Sequence, residues 1–292
     1  MKKIIFITIF LVSIAASYFY GLFSHRDYLP PYPQLLAVKY HFFPLSIGFT
    51  NTASRTEVPC GRIQGKKVMV ALVFGQSNSG NHGETIYKPQ KQVYNLFRDR
   101  CYVAEDPLLG PTGDRGSVWS RLGDMLIKER MYDAVVFIPI GVGTTTIDQW
   151  VKGGHLYPRI TDAIRESKSC GLKITHMFWV QGGSEKRTSG DPENKKGYKR
   201  NFTAMLQSIR SMGVDSPIYV AVATYNDTGV INDIRAAQFE LVDPHNKVFA
   251  GPDIDALYYD KKNRWEEVHL SHRGLELSTR AWLAAIRGAE GK

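Results

Sequence analysis

The sequence predicts an α/β domain: a parallel sheet of about five strands with helices packed on both faces. Three observations carry this. Short apolar runs at 68–74, 134–140, 174–180, 218–223 and, more weakly, 247–250 read as strands buried on both faces. Segments of helical spacing lie between them, and strands alternating with helices give a parallel sheet. The first three runs end abruptly in Gly, Gln, Ser and Thr. Open α/β sheets bind ligands outside the carboxyl ends of their strands.

In chain order, Lys2 and Lys3 precede an uncharged apolar stretch from Ile4 to Phe23. About twenty apolar residues at 1.5 Å each span the roughly 30 Å of a bilayer core. The stretch runs on through Tyr18, Phe19, Tyr20, Leu22 and Phe23, past Ala15, Ala16 and Ser17, where a signal would be cut. Residues 1–23 are therefore expected to be an uncleaved signal anchor. The lysines stay in the cytoplasm and the rest is exported, giving a membrane-anchored protein on the exported side. Residues 24–59, with Pro30, Pro31, Pro33 and Pro44, read as a tether, and 60–292 as the compact domain. Export permits disulfides, so Cys60 and Cys101, which flank the segment around Ser77, are the expected pair and Cys170 is left over.

The helical segments are 117–130, 157–169, 198–212, 231–241 and 271–287. Within the third, Phe202, Met205, Leu206 and Ile209 fall on one face; within the last, Leu275, Trp282, Leu283 and Ile286 do. The 37 basic and 28 acidic residues leave a formal charge of +9. That charge favours acidic partners. Zinc-spaced Cys/His clusters, a phosphate-binding loop and RNA-binding aromatic motifs are all absent from the sequence, so nucleic acid is not expected as a partner.

The chemistry gathers at the strand exits. After the first run come Gly75-Gln76-Ser77-Asn78-Ser79-Gly80, which put Ser77 at the start of a turn or helix. Backbone N–H groups converge at such a point, and a nucleophile suits it. After the second run come Gly141-Val142-Gly143-Thr144, where a glycine N–H can face a developing oxyanion. After the third come Gln181-Gly182-Gly183-Ser184-Glu185, with the Gln181 amide as a further donor. Before the last helix, His269 is a candidate base, and Glu266, three residues earlier, can accept its other ring N–H. His272 is expected in the first turn of that helix, outside the chemistry. Lys195, Lys196, Lys199 and Arg200 either rim the pocket or form a solvated helix start.

These four motifs, in this order, resemble the SGNH hydrolases, and within them the sialate O-acetylesterase and acetyl xylan esterase branch. Asp106-Pro107-Leu108 and Arg235-Ala236-Ala237-Gln238 are similar to that branch as well, and the likeness covers roughly residues 66 to 290. The resemblance implies a flavodoxin-like three-layer α/β/α fold and removal of acetyl groups from carbohydrate hydroxyls. It implies Ser77 as nucleophile and His269 as base, with Glu266 where the family usually has Asp. The Ser77 N–H, a glycine N–H at Gly141 or Gly143, and Gln181 would form the oxyanion hole. No metal or other cofactor is implied. Gln76, Asn78, Thr144, Trp150 and Glu185 stand at the same exits and are the candidate contacts to an O-acetylated carbohydrate. Trp150 is open between a sugar platform and a core residue. Three departures stand out: Val180 replaces the usual His before Gln181, Gly183 stands where the branch often carries Glu, and Gln181 replaces the superfamily's Asn. Two alternatives share the motifs: an O-acetyltransferase of envelope polysaccharide, and a carbohydrate-binding protein on the same fold.

Overall fold

All five expected strands are present, and the sheet that holds them is larger. In chain order its strands are β1 (Glu57–Val58), β2 (Val68–Gly75), β3 (Val93–Phe97), β4 (Arg100–Val103), β5 (Ala134–Pro139), β6 (His176–Val180), β7 (Ile218–Val222) and β8 (Val248–Asp253). Their spatial order is β1-β4-β3-β5-β2-β6-β7-β8. Neighbours from β3 to β8 run parallel, while β4 returns antiparallel beside β3 and β1 pairs with it. The β3–β4 hairpin escapes an apolar-run reading because Tyr94, Asn95 and Arg100 interrupt it. Its turn residues Arg98 and Asp99 both have left-handed φ, of 49° and 59°. Tight hairpins need that geometry, and Asn-Gly would have advertised it.

The α-helices among the described residues that follow β1 are α1 (Val118–Lys128), α2 (Tyr157–Ser169), α3 (Pro192–Ser211), α4 (Asn232–Glu240), α5 (Ile254–Tyr258) and α6 (His272–Glu290). Alternate residues of β2 sort between two cores, as the strand's period of two requires. Val70, Leu72 and Phe74 join the core with α2, α3 and α4. Met69, Ala71 and Val73 join the core with α1, α5 and α6. The result is the three-layer α/β/α fold. Helix α6 is fastened by Trp282, whose ring lies 5.3 Å from Trp119 and 5.0 Å from Phe178. Each such aromatic pair adds about 0.5–1.5 kcal/mol beyond area burial. Ser271 caps α6 by accepting the Gly274 N–H, so the residues just before the helix are held in place.

In this computed structural model the described residues are 13–14, 16–21, 48–63, 65–185 and 192–291. The chain divides into two compact units, Met1–Leu45 and Ser46–Lys292. In the first, residues 13–14 and 16–21 are described, and they are helical. Among the described residues no helix is long and apolar enough to cross a membrane. The expected anchor over 1–23 is corrected accordingly: its described part is too short to span a bilayer, and residues 1–12, 15, 22 and 23 lie outside the described residues. Of the expected tether, residues 24–47 also lie outside them. Residues 48–59 are part of the larger unit, with Arg55 donating to the carbonyls of Glu105 and Pro107 and β1 pairing with β4. A disulfide joins Cys60 and Cys101. Cys170 is free, with its Sγ 2.9 Å from that of Cys60.

Candidate active site

Strand β2 lies between β5 and β6. The chain leaves β2 for β3 and β5 on one side and then crosses to β6, β7 and β8 on the other. The carboxyl end of β2 is therefore the switch point, where the connections diverge and leave a crevice. Gly75 ends the strand at φ 125°, and a Cβ there would meet the Val180 carbonyl oxygen at 2.1 Å. Only glycine lets the two strands close at this point. Ser77 follows as the first residue of a single 3-10 turn, Ser77–Ser79. The first N–H groups of such a turn have no partner within it. Gln76 is fixed by accepting the N–H groups of Gly182 (2.9 Å) and Ser184 (3.3 Å). It joins the exits of β2 and β6 and is buried.

His269 lies on a two-stranded hairpin of β9 (Arg264–Trp265) and β10 (His269–Leu270). Glu266 and Glu267 take left-handed φ of 46° and 65° in its turn. This reversal brings the Glu266 carboxylate back to 3.5 Å from His269 Nδ1. The Glu266 side chain is 58% exposed, the His269 side chain 14%. Burial pushes the imidazole pKa below the ordinary histidine value, with Glu266 pulling the other way. A base must be neutral to take a proton, so burial readies it. The hairpin packs against the Ser77 turn. Asn78 donates to the Tyr258 hydroxyl (2.9 Å), which donates to the Val268 carbonyl (3.0 Å), tying one to the other.

The expected oxyanion donors are distributed differently. The Gly143 N–H donates to Thr112 Oγ1 at 2.8 Å. Gly141 abuts Ser79, whose Oγ would lie 2.0 Å from a Cβ there, so this glycine serves close packing. Gln181 is fully buried, and its Nε2 donates to the Thr145 carbonyl (2.8 Å) and Glu185 Oε1 (2.7 Å). Both amide hydrogens are thereby used within the protein. Glu185 also accepts the Ile147 N–H, and burial raises its pKa to about 7. It braces Gln181. Trp150 has no exposed area and packs against Phe74 and Trp179, so it is the core residue and not the sugar platform. Thr144 is exposed at φ 59°. A β-branched residue with that backbone is strained, and such residues cluster at functional sites.

One residue of the site was not foreseen. The His82 ring stacks on the His269 ring with centroids 4.9 Å apart and planes at 28°. Its Nε2 lies 3.0 Å from Thr112 Oγ1, the atom that holds the Gly143 N–H. Burial first, and His269 second, lower the His82 pKa to about 4. Its only signal in the sequence is its place five residues after Ser77.

Residues 67–276 match the family of carbohydrate esterases described as sialic acid-specific acetylesterases. The chain belongs to this family. It is 31% identical over 105 residues to a probable carbohydrate esterase of Arabidopsis thaliana; the match spans 36% of this chain and 39% of that relative. A crystal structure of an Arabidopsis thaliana protein superposes with a TM-score of 0.61 at 20% identity, covering 75% of this chain and 98% of that one. The crystal structure of NanS superposes at 0.54 with 13% identity, covering 79% and 100%. At such identities the superpositions establish the fold.

Two further motifs of the chain form buried hydrogen-bond networks. Asp106 is buried and accepts from the Ser117 N–H and the hydroxyls of Ser117 and Ser120; burial raises its pKa to about 6. Gln238 donates to the Gln181 carbonyl and accepts the Ala223 N–H, locking the exits of β6 and β7 together. The basic segment does not rim the site. Lys195 and Lys199 pair with Glu240, and Lys196 with Glu193, on the outer surfaces of α3 and α4. An open groove of about 530 Å³ lies beside the hairpin, lined by Glu84, Thr85, Ile86, Asp114 and Arg115. It adjoins the base: the Glu84 N–H donates to the Leu270 carbonyl, and the Arg115 guanidinium sits 4.9 Å over the Trp265 ring.

Proposed function

We propose that the protein is a serine esterase that removes O-acetyl groups from a carbohydrate through Ser77, His269 and Glu266. The supporting observation is convergence. The Ser77 turn and the His269 hairpin meet at the switch point of a sheet belonging to the carbohydrate esterase family. His269 takes the Ser77 proton as the hydroxyl attacks the ester carbonyl. The tetrahedral oxyanion is stabilised by the Ser77 N–H. A well-aimed donor of this kind contributes about 3–4 kcal/mol. The Gly143 N–H is a second donor, held in place by Thr112 until an oxyanion displaces the hydroxyl. His269 returns the proton to the departing sugar hydroxyl, and water then cleaves the acetyl-enzyme. The Cys60–Cys101 bridge supports an oxidising, exported compartment.

The sugar occupies the groove beside the hairpin. Asp114 and Arg115 line this groove, and both are offered to ligand hydroxyls. The exposed Ile86 can cover an apolar ring face. The test is acetate release by the full chain from a panel of acetylated glycans and from 4-nitrophenyl acetate, with Ser77→Ala as background. No release from any of them defeats the reading. Arg115→Ala should raise KM for a glycan about tenfold, as loss of a charged hydrogen bond does. It should leave the small ester unaffected, and an equal effect on both substrates removes the groove from the account.

A further inference from the structure

In a serine esterase the base must be held at one angle to the nucleophile. Here the usual device is weak. Glu266 is 3.5 Å from His269 Nδ1 and mostly in water, beyond good hydrogen-bond geometry. Nδ1 is buried and has no hydrogen-bond partner among the described residues. One face of the same imidazole is covered by a second ring, that of His82. His82 is in turn fixed through Thr112 to the Gly143 turn. A Cβ on Gly143 would lie 3.5 Å from His82 Cε1 and Nε2, so the ring stands between the base and that turn.

We infer that His82 is a positioning residue, whose ring orients and dehydrates His269 while its Nε2 keeps Thr112, and with it the Gly143 N–H, in register. The inference deepens the esterase reading and rests on it for its kinetic part. Gly143 N–H donates to Thr112 Oγ1, so the hydroxyl hydrogen is free to donate to His82 Nε2. One contact therefore couples the base to the turn beside it. The charged and titratable groups around His269 are few. Glu266 belongs to its own hairpin, and His82 stacks on it, with Asp114 acting electrostatically on His82. Arg115 lies over Trp265, the register partner of His269. Because burial is the main cause of the lowered His269 pKa, whatever covers this ring should govern its titration.

The experiment follows the His269 ring by NMR titration in the full chain for wild type, His82→Ala and His82→Phe, alongside kcat and KM on 4-nitrophenyl acetate. In His82→Ala water reaches His269, and its pKa should rise towards the ordinary histidine range. His82→Phe keeps the flat cover and should titrate like wild type. The alanine variant should lose about 10- to 100-fold in kcat, as misplaced catalytic groups do, with KM little changed. The phenylalanine variant restores the cover but not the hydrogen bond to Thr112, and should recover part of the loss. The inference is overturned if His269 titrates alike in wild type and His82→Ala, or if His82→Phe behaves like His82→Ala. The NMR readout needs no activity. A wild type inactive on every ester would sink the esterase reading while the titration still judges the stack.

Discussion

If the proposed triad operates, replacing Glu266 by Gln should cost far less than loss of a buried triad acid. At 3.5 Å from His269 Nδ1, a unit charge stabilises the imidazolium by about 1 kcal/mol in a water-like medium and about 5 kcal/mol at an effective dielectric of about 20. The Glu266 side chain is 58% exposed, so the watery limit governs. A loss of about 1–2 kcal/mol is expected, or roughly 5- to 30-fold in kcat/KM. A buried triad aspartate that loses its charge costs about ten-thousandfold. The assay is kcat/KM on 4-nitrophenyl acetate for wild type and Glu266→Gln at low salt and at 1 M. Salt of that strength shortens the screening length to about 3 Å, so the gap between the two proteins should narrow. A thousandfold loss would mean that substrate closes over Glu266 and dries it. An unchanged rate would mean that the charge does not act on His269 at all. Either result refutes the reasoning.

Ser77→Ala should abolish turnover with an unchanged melting curve, since one small residue in a turn replaces another; His269→Ala should cost about as much, because nucleophile and base act as a unit. His272 is exposed in the first turn of α6 with Nδ1 on Thr85, and His272→Ala should change kcat less than about twofold, in the range of surface substitutions. The acid limb of the rate profile should lie below the ordinary histidine pKa, because burial disfavours His269 protonation and only the neutral ring is a base. Stability should fall as pH drops from about 6.5 to about 4: His82 has a folded pKa near 4, so the unfolded chain takes up the proton first, at a cost of up to about 3 kcal/mol, and melting of His82→Phe should depend less on pH. Cys60→Ser opens a disulfide of 41 residues' separation and should lower unfolding stability by about 4 kcal/mol on the chain-entropy relation, measured in urea.

The strands read most clearly in the sequence are those buried on both faces; β8, at the sheet edge, gave only a weak run. Burial on both faces demands continuous apolar residues, as in Val68–Gly75. The hairpin of β3 and β4 lies at the sheet's margin, where Arg100 and the Arg98–Asp99 turn can face water, and it left no such run. The places of Ser77, Gln181 and His269 at the edge of the sheet were legible because each sits at a fixed offset from a strand end or helix start. What Gln181 does with its amide was not legible. That depends on Thr145 and Glu185, which come from other exits.

The sequence by itself determined the three-layer fold, the order of its elements and the residues that reach the carboxyl edge of the sheet. Those properties follow from hydrophobic periodicity and turn chemistry, which act over a few neighbouring residues. Only the tertiary structure decided which donors stay free, that Trp150 belongs to the core, and that His82 lies against His269. These are matters of distance between segments that lie from about 30 to 187 residues apart in the chain. No local pattern encodes them, because they are fixed by how helix α6 and its hairpin dock on the sheet, through contacts such as Trp282 against Trp119 and Phe178.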